Sequence, residues 1–393
     1  MTKRITYLDN AATTPVRPEV LEAMLPYLGK EAFGNPSSAH RFGRAARAGV
    51  EEAKRAVAAA VGAEPNQVVF TSGGTEADNL AIIGAALAAR DRGGPFRVAV
   101  SAAEHKAGLA AAHAVKHLGG EEVILPVTAS GLLDHAALDR ALASGGGVAI
   151  VSVMWVNNEV GTIQPVRELA DRCRAAGALF HSDAVQAFGK VPVSLHDVNC
   201  TFLTISGHKI GAPKGIGALI VRDRKAVEAI IHGGGQQFGI RPGTENVPGI
   251  VGLGTAARLA AEEQAALAAR LRELRDDLER RLLAIIPDAV INGWQGERAP
   301  HISNVSIPGT DSEALLMHLD LAGVACSSGS ACSTGAAEPS HVLTAMGVPR
   351  ELGVAALRFS FGKDSTTDDV AAVEAVIAKI VEKVRSLSTV LHR

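Results

Sequence analysis

A lysine that follows a buried strand is the residue in this sequence best suited to covalent chemistry. Phe202-Leu203-Thr204-Ile205 is a short apolar run, and Ser206-Gly207-His208-Lys209 ends it with a polar, glycine-containing turn. Ligands of open α/β sheets sit at such strand ends. A lysine amine placed there can form a Schiff base with a carbonyl cofactor. Taken alone, Lys209 also fits an ordinary exposed loop lysine. Upstream, Asp183 ends a second strand in Phe180-His181-Ser182-Asp183-Ala184-Val185-Gln186. A carboxylate facing a pyridine nitrogen keeps that ring protonated and able to take up electrons from a carbanion. Gln186 can hydrogen-bond a phenolic oxygen on the same ring. Asp183 also suits a helix cap, and the two roles are compatible.

Three more segments end strands with polar residues. Thr71-Ser72-Gly73-Gly74-Thr75-Glu76 is a glycine-rich turn before a helical pattern, where free N–H groups and the helix dipole bind phosphate. It has no G-K-[ST] and is not a Walker loop. His105, in Ser101-Ala102-Ala103-Glu104-His105-Lys106, can stack on a ring and move protons, or serve as a structural histidine. Asn158, in Asn157-Asn158-Glu159, can offer an amide. Far downstream, Cys332 sits in Cys326-Ser327-Ser328-Gly329-Ser330-Ala331-Cys332-Ser333-Thr334-Gly335. That run of small polar residues predicts a mobile loop carrying a reactive thiol; an incidental exposed cysteine is the plainer alternative.

The elements that must position these groups follow from the apolar pattern. Short, near-continuous apolar runs at Val68 to Phe70, Phe96 to Val100, Val123 to Leu125, Val148 to Val153, Ala178 to His181, Thr201 to Ile205 and Gly217 to Val221 predict strands buried on both faces. Helical patterns at Arg41 to Val61, Glu76 to Arg90, Lys106 to Leu118 and Arg167 to Ala176 lie among them. The alternation predicts a mainly parallel central sheet with helices on both faces. From about Leu253 the texture changes: a long helix over Ala256–Ile286, strands near Ile302 to Ile307 and Leu357 to Phe361, and a final helix from Asp368 to Leu387. We expect a large domain over 16–258 and a smaller α+β domain made of 1–15 and 259–393.

The chain has 393 residues, 47% of them hydrophobic, and 39 basic against 41 acidic residues. Without a long basic run it points away from nucleic acid. It has no apolar signal-peptide core and no membrane-length apolar stretch. Four cysteines in so long a chain do not make a disulfide framework, and the Cys326–Cys332 spacing does not suit zinc. A cytoplasmic protein with free thiols is expected.

Together these segments resemble the class V aminotransferase superfamily of pyridoxal-phosphate (PLP) enzymes of fold type I. They are more closely similar to the cysteine desulfurases of the nitrogen-fixation and iron–sulfur-cluster assembly type. The likeness also takes in Tyr7-Leu8-Asp9-Asn10-Ala11-Ala12-Thr13-Thr14, Phe33-Gly34-Asn35-Pro36-Ser37-Ser38, His232-Gly233-Gly234-Gly235, Arg241-Pro242-Gly243-Thr244 and Arg358-Phe359-Ser360, in family order along nearly the whole chain.

The resemblance implies PLP on Lys209, with His105 stacked on the ring and acting in catalysis. It implies Asp183 at the ring nitrogen, and Gln186 and Asn158 at the ring oxygen. Gly74, Thr75, Ser206 and His208 would hold the phosphate, joined by Thr244 from a neighbouring subunit, so a homodimer is implied. Arg358 with Asn35 would bind the carboxylate of L-cysteine. Cys332 would take the sulfur as a persulfide, L-alanine would leave, and a sulfur-acceptor protein such as a cluster scaffold would follow. A selenocysteine lyase, an ordinary aminotransferase, a sulfur donor for tRNA or DNA thiolation, or a non-catalytic sulfur carrier are the alternatives. Two departures from the family stand out: Cys326, which we expect to be a spectator, and a short end after the last helix where many homologues carry a longer tail.

Overall fold

The computed structural model describes residues 5–293, 297–328 and 338–391. Strand β1 (Thr6–Tyr7) lies apart from the main sheet. That sheet is built from β2 (Val68–Thr71), β3 (Arg97–Ser101), β4 (Glu121–Leu125), β5 (Ile150–Ser152), β6 (Leu179–Asp183), β7 (Phe202–Ser206) and β8 (Gly217–Val221). Their order is β2-β8-β7-β6-β5-β3-β4. Only β8 runs antiparallel to its neighbours within it. Strands such as β7 and β8 are buried at every position, as their continuous apolar pattern requires.

The helices in chain order are α1 (Pro18–Leu28), α2 (Arg41–Val61), α3 (Gly74–Asp91), α4 (Lys106–His117), α5 (His135–Ala143), α6 (Val166–Ala175) and α7 (Val247–Ile285). Helices α3 and α4 cover one face of the sheet, packing with Val69, Val98, Ile150 and Phe202. Helices α2, α5, α6 and the start of α7 cover the other, around Val57, Phe70, Val151, Phe180 and Leu203. The fold is therefore a mainly parallel α/β sheet with helices on both sides, as expected.

The chain beyond builds β9 (Val290–Ile291), β10 (Ile302–Ser306), β11 (Val324–Ala325) and β12 (Ala356–Ser360) with α8 (Ser312–Ala322), short α9 (His341–Ala345), short α10 (Arg350–Gly353) and α11 (Thr367–Leu391). Strands β12-β10-β9 form an antiparallel sheet, and β1 pairs with β11. Leu8, Leu271, Leu278, Val305, Leu315, Phe359 and Val373 fill a core separate from the two faces of the large sheet.

The sequence pattern misplaces the start of α7. It begins at Val247 rather than Ala256, with the Asn246 side chain accepting from Gly249 N at 3.1 Å as its cap. Gly249, Gly252 and Gly254 look like helix breakers in the sequence. In the fold two of them let helices touch: a Cβ on Gly254 would fall 2.6 Å from Ala53 Cα of α2, and one on Gly252 would fall 2.8 Å from Met24 Sδ of α1. Helices α1 and α5 were not singled out by the sequence pattern.

Candidate active site

Four strands deliver polar residues to one edge of the sheet. Asp183 ends β6, Ser206 ends β7, Thr71 ends β2, and the Ser101 end of β3 leads to Glu104 and His105. A cavity of about 330 Å³ opens there. Its walls include Lys209, Asp183, His105, Gln186 and Asn158. Gly74, Thr75, Ser206, His208 and Arg358, also anticipated from sequence, line it as well, together with Ala11, Ala12, Asp78, Met154 and Val185.

Lys209 lies in a 3₁₀ turn, Gly207–Lys209, directly after β7. Its Nζ donates to the carbonyls of Ala11 and Ala12. Burial lowers its pKa to about 8; Arg358 adds to this, while Asp183 and Asp9 oppose it. The N-terminal segment is strapped over this turn. Thr14 N and Oγ1 both donate to the His208 carbonyl at 2.9 Å, and Gln186 Nε2 donates to Ala11 O at 2.8 Å. His208 is a neutral imidazole, lowered to about 4 by burial and then by Lys209, and its Nδ1 meets Thr13 Oγ1 at 3.1 Å.

Asp183 is buried, and Val185 N donates to its Oδ1 at 2.8 Å, so it caps a turn rather than a helix. Burial raises its pKa, while His105 and Lys209 pull the other way. The His105 Nδ1 accepts from Ala107 N at 3.1 Å and caps α4. Burial lowers its pKa, so the ring is neutral and its single proton sits on Nε2. The histidine is thus a structural cap and a wall of the cavity at once.

The glycine-rich turn is shaped for an anion. No side chain caps the first turn of the 18-residue α3. Gly73, at φ 156° and ψ −176°, occupies backbone space reserved for glycine. Gly217 must also lack a Cβ, which would fall 2.8 Å from Gly73 C. Glu76 braces the turn: Ser72 N donates to it at 2.9 Å, and Arg241 Nε at 2.7 Å.

Arg358, from the middle of β12, donates to Asn158 O and to Asp9 Oδ1, both at 2.9 Å, and its buried Nε has no partner. A larger hollow of about 520 Å³ lies beyond Lys209. Its charges mostly pair among themselves, Arg17 with Glu19 and Glu263, and Lys363 with Glu263, so it lacks the convergent free groups of a site.

Two anticipated residues do not reach this cavity. Asn35 is exposed, with its Oδ1 accepting from Ser37 N at 2.9 Å, and Thr244 is exposed as well. Cys332 lies outside the described residues. Cys173, Cys200 and Cys326 are each pushed up to about 12 by burial, so all three remain thiols. Sequence reasoning missed Asp78, which lines the cavity with its carboxyl 2% exposed. Its only signal was its place two residues after the Thr71 to Glu76 turn.

The aminotransferase class-V family model matches residues 6–373. The cysteine desulfurase IscS of Dictyoglomus turgidum is 44% identical over 386 residues, covering 98% of this chain and 97% of that protein. The solved NifS-like protein from Rickettsia africae ESF-5 superposes with a TM-score of 0.86 at 32% identity, over 96% of this chain and 100% of that one. A structure described as SspA in complex with cysteine gives a TM-score of 0.79 at 32% identity, over 91% and 98%.

Proposed function

The chain belongs to the class-V aminotransferases and, among them, to the PLP-dependent cysteine desulfurases, and from that premise we propose that it lodges the sulfur of L-cysteine on its own Cys332. One observation carries the reading: a single cavity gathers a half-buried lysine amine, a buried carboxylate, a neutral histidine, an uncapped helix start and a guanidinium. The residues present fit PLP. The bare N-terminus of α3, with Gly74, Thr75, Ser206 and His208, suits its phosphate. Asp183 suits its ring nitrogen, and Gln186 and Asn158 suit its ring oxygen. The unpartnered Nε of Arg358 suits a substrate carboxylate.

When bound, PLP withdraws electrons from the substrate α-carbon. The chain's own groups then have these parts. Nζ of Lys209, with its lowered pKa, takes the proton from the substrate α-carbon. Asp183 supports the positive ring nitrogen. Arg358 fixes the substrate carboxylate; Asn35, exposed and outside this cavity, would have to move or come from another copy to join it. The Nε2–H of His105 moves a proton at the substrate side. The Cys332 thiolate attacks Sγ of L-cysteine. An S–S bond forms, the Cβ–Sγ bond breaks, Cβ gains a proton and Lys209 Nζ returns its proton to the α-carbon, so that L-alanine leaves and a Cys332 persulfide remains.

The working unit is a homodimer. Leu21, Leu25 and Leu28 of α1, with Phe33, are each at least half exposed and make an apolar stripe suited to a second copy. Thr244, away from its own cavity, would reach the phosphate in the partner. The separate cores around Val57 and around Phe359 support a division into 16–258 and 1–15 with 259–393. The acceptor is a protein that assembles iron–sulfur clusters, in keeping with the near full-length likeness to the Dictyoglomus protein. A persulfide carrier needs a reducing compartment, which supports a cytoplasmic setting.

The test is Cys332→Ser. It should keep bound cofactor and its visible absorbance, yet release neither L-alanine nor sulfide from L-cysteine with a reductant present. Alanine release at the wild-type rate would overturn the persulfide step.

A further inference from the structure

Beneath the cavity, five buried side chains join into a chain with a carboxyl group at each end. Glu104 Oε1 accepts from Met154 N, and Ser152 Oγ lies 3.3 Å from Glu104 Oε2. Ser152 Oγ is 2.8 Å from His181 Nδ1. His181 Nε2 is 3.0 Å from Thr204 Oγ1 and 3.6 Å from Asp78 Oδ1. Every member is at most 2% exposed, and Asp78 Oδ1 has no hydrogen-bond partner. The register explains the assembly: Ser152 pairs with His181 across β5 and β6, and Asp183 pairs with Thr204 across β6 and β7. Asp183 thus stands one residue pair from this chain.

Hydrogen counting restricts what the chain can be. Burial holds His181 neutral, with its pKa lowered to about 3, so its ring has one N–H. If Nδ1 bears it, Nδ1 donates to Ser152, Ser152 donates to Glu104, and Nε2 is a bare acceptor facing Asp78 and Thr204. If Nε2 bears it, every bond reverses and Glu104 must supply a proton to Ser152. The two polarities leave the acid proton at opposite ends.

Local donors choose between them. Glu104 has a donor for each oxygen, the amide of Met154 and the hydroxyl of Ser152. The Oδ1 of Asp78 has none, and its nearest charged neighbours are Asp183 and Glu104, both anionic when ionised. Thr204 is the one side-chain donor to the Asp78 carboxyl and favours its ionised form, but an interior carboxylate with a bare oxygen beside two others is still the costlier ion. Burial raises both pKa values, that of Glu104 to about 8 and that of Asp78 well above its ordinary value, with Asp183 its next cause.

We propose that Asp78 is a carboxylic acid in the working enzyme, and that the Glu104–Ser152–His181 chain fixes its proton there so that Asp183 alone is the ionised carboxylate facing the cofactor ring. The proposal rests on the reading of the cavity as the PLP site. Asp78 is a positioning residue: it keeps a second negative charge away from Asp183, as neutral acids in apolar sites elsewhere do. The groups that bear on it are Asp183, the Thr204 hydroxyl, Glu104 and His181, with His105 and Lys209 acting through Asp183.

Infrared spectroscopy of the holoenzyme reads this directly at about pH 10, roughly two units above the value of about 8 for Glu104, where only about 1% of that acid stays protonated. A carbonyl band of a protonated, buried carboxylic acid should be present. Asp78→Asn should remove it. Glu104→Gln should remove it too, although Asp78 is untouched. The amide then donates to Ser152, the chain reverses, and Asp78 ionises. Ser152→Ala, which cuts the chain without touching either acid, should weaken or shift the band. A band that survives Asp78→Asn, or one unchanged in Glu104→Gln, would overturn the assignment. Cofactor binding and alanine release are measured on the same samples. Wild-type protein that binds PLP and makes alanine without the band sinks this inference alone, whereas failure to bind PLP sinks the reading of the site.

Discussion

At the residue scale, the chemistry depends on an amine made less basic by its surroundings. An exposed lysine titrates at about 10.4; Lys209 is lowered to about 8, first by burial and then by Arg358. About one amine in ten is then neutral at pH 7, several hundred times the fraction in an exposed lysine. The rate at which cofactor-free protein takes up PLP should therefore climb about tenfold per pH unit and level off near 8. A plateau reached only near 10 would show that the amine is not desolvated. The same shift bears on stability with a definite sign. The unfolded chain binds the lysine proton more tightly, so burying Lys209 costs stability below about 8, and that cost is relieved as pH rises toward 10.5. Lys209, Asp183 and His105 were legible in the sequence because each follows an apolar run with a polar break. Asp78 was not, because the buried neighbours that define it, His181 and Thr204, come from two other strands.

At the element scale, the helices are held where they are by missing side chains. Gly254 sits in the interior of α7, where alanine would normally gain about 1 kcal/mol in helix propensity. Here the added Cβ would lie 2.6 Å from Ala53 Cα and 2.7 Å from its Cβ, so α2 and α7 must separate. Overpacking of this kind costs about 1–3 kcal/mol. Gly254→Ala should thus lower the midpoint of thermal or denaturant unfolding despite the better helix former; a rise would mean that the two helices are not in contact. The same glycine explains why the start of α7 was misplaced. Helical periodicity is a local signal, and the tolerance of glycine here is supplied by a neighbour some two hundred positions away in sequence. By contrast α2 was anticipated at its observed limits, since its apolar stripe is strongly periodic and uninterrupted.

At the scale of the whole molecule, the site is assembled from distant parts of the chain. Residues 9–14 close over Lys209, and β12 brings Arg358 from near the C-terminal end. The ion cluster of Arg17, Glu263 and Lys363 ties the N-terminal segment and the stretch after β12 to α7. What a single chain leaves incomplete is the position of Asn35 and Thr244, both exposed and outside the cavity. The proposed second copy would cover the α1 stripe. Leu25→Asp, at a side chain 55% exposed, should leave folding intact but shift sedimentation from dimer toward monomer and weaken PLP retention on dilution. An unchanged dimer would remove α1 from the interface.

The sequence by itself determined the sheet-and-helix alternation, the strand ends and the residue types placed on them. Those depend on short-range periodicity, which water and apolar burial enforce whatever the rest of the chain does. Only the tertiary structure decided that Lys209 is bound to the Ala11 and Ala12 carbonyls, that Gly254 is a contact rather than a break, and that Asp78 faces His181 with an unpartnered oxygen. Each of these is a matter of distance between residues far apart in sequence. Desolvation and hydrogen bonding act over a few ångströms in space and leave no periodic trace along the chain.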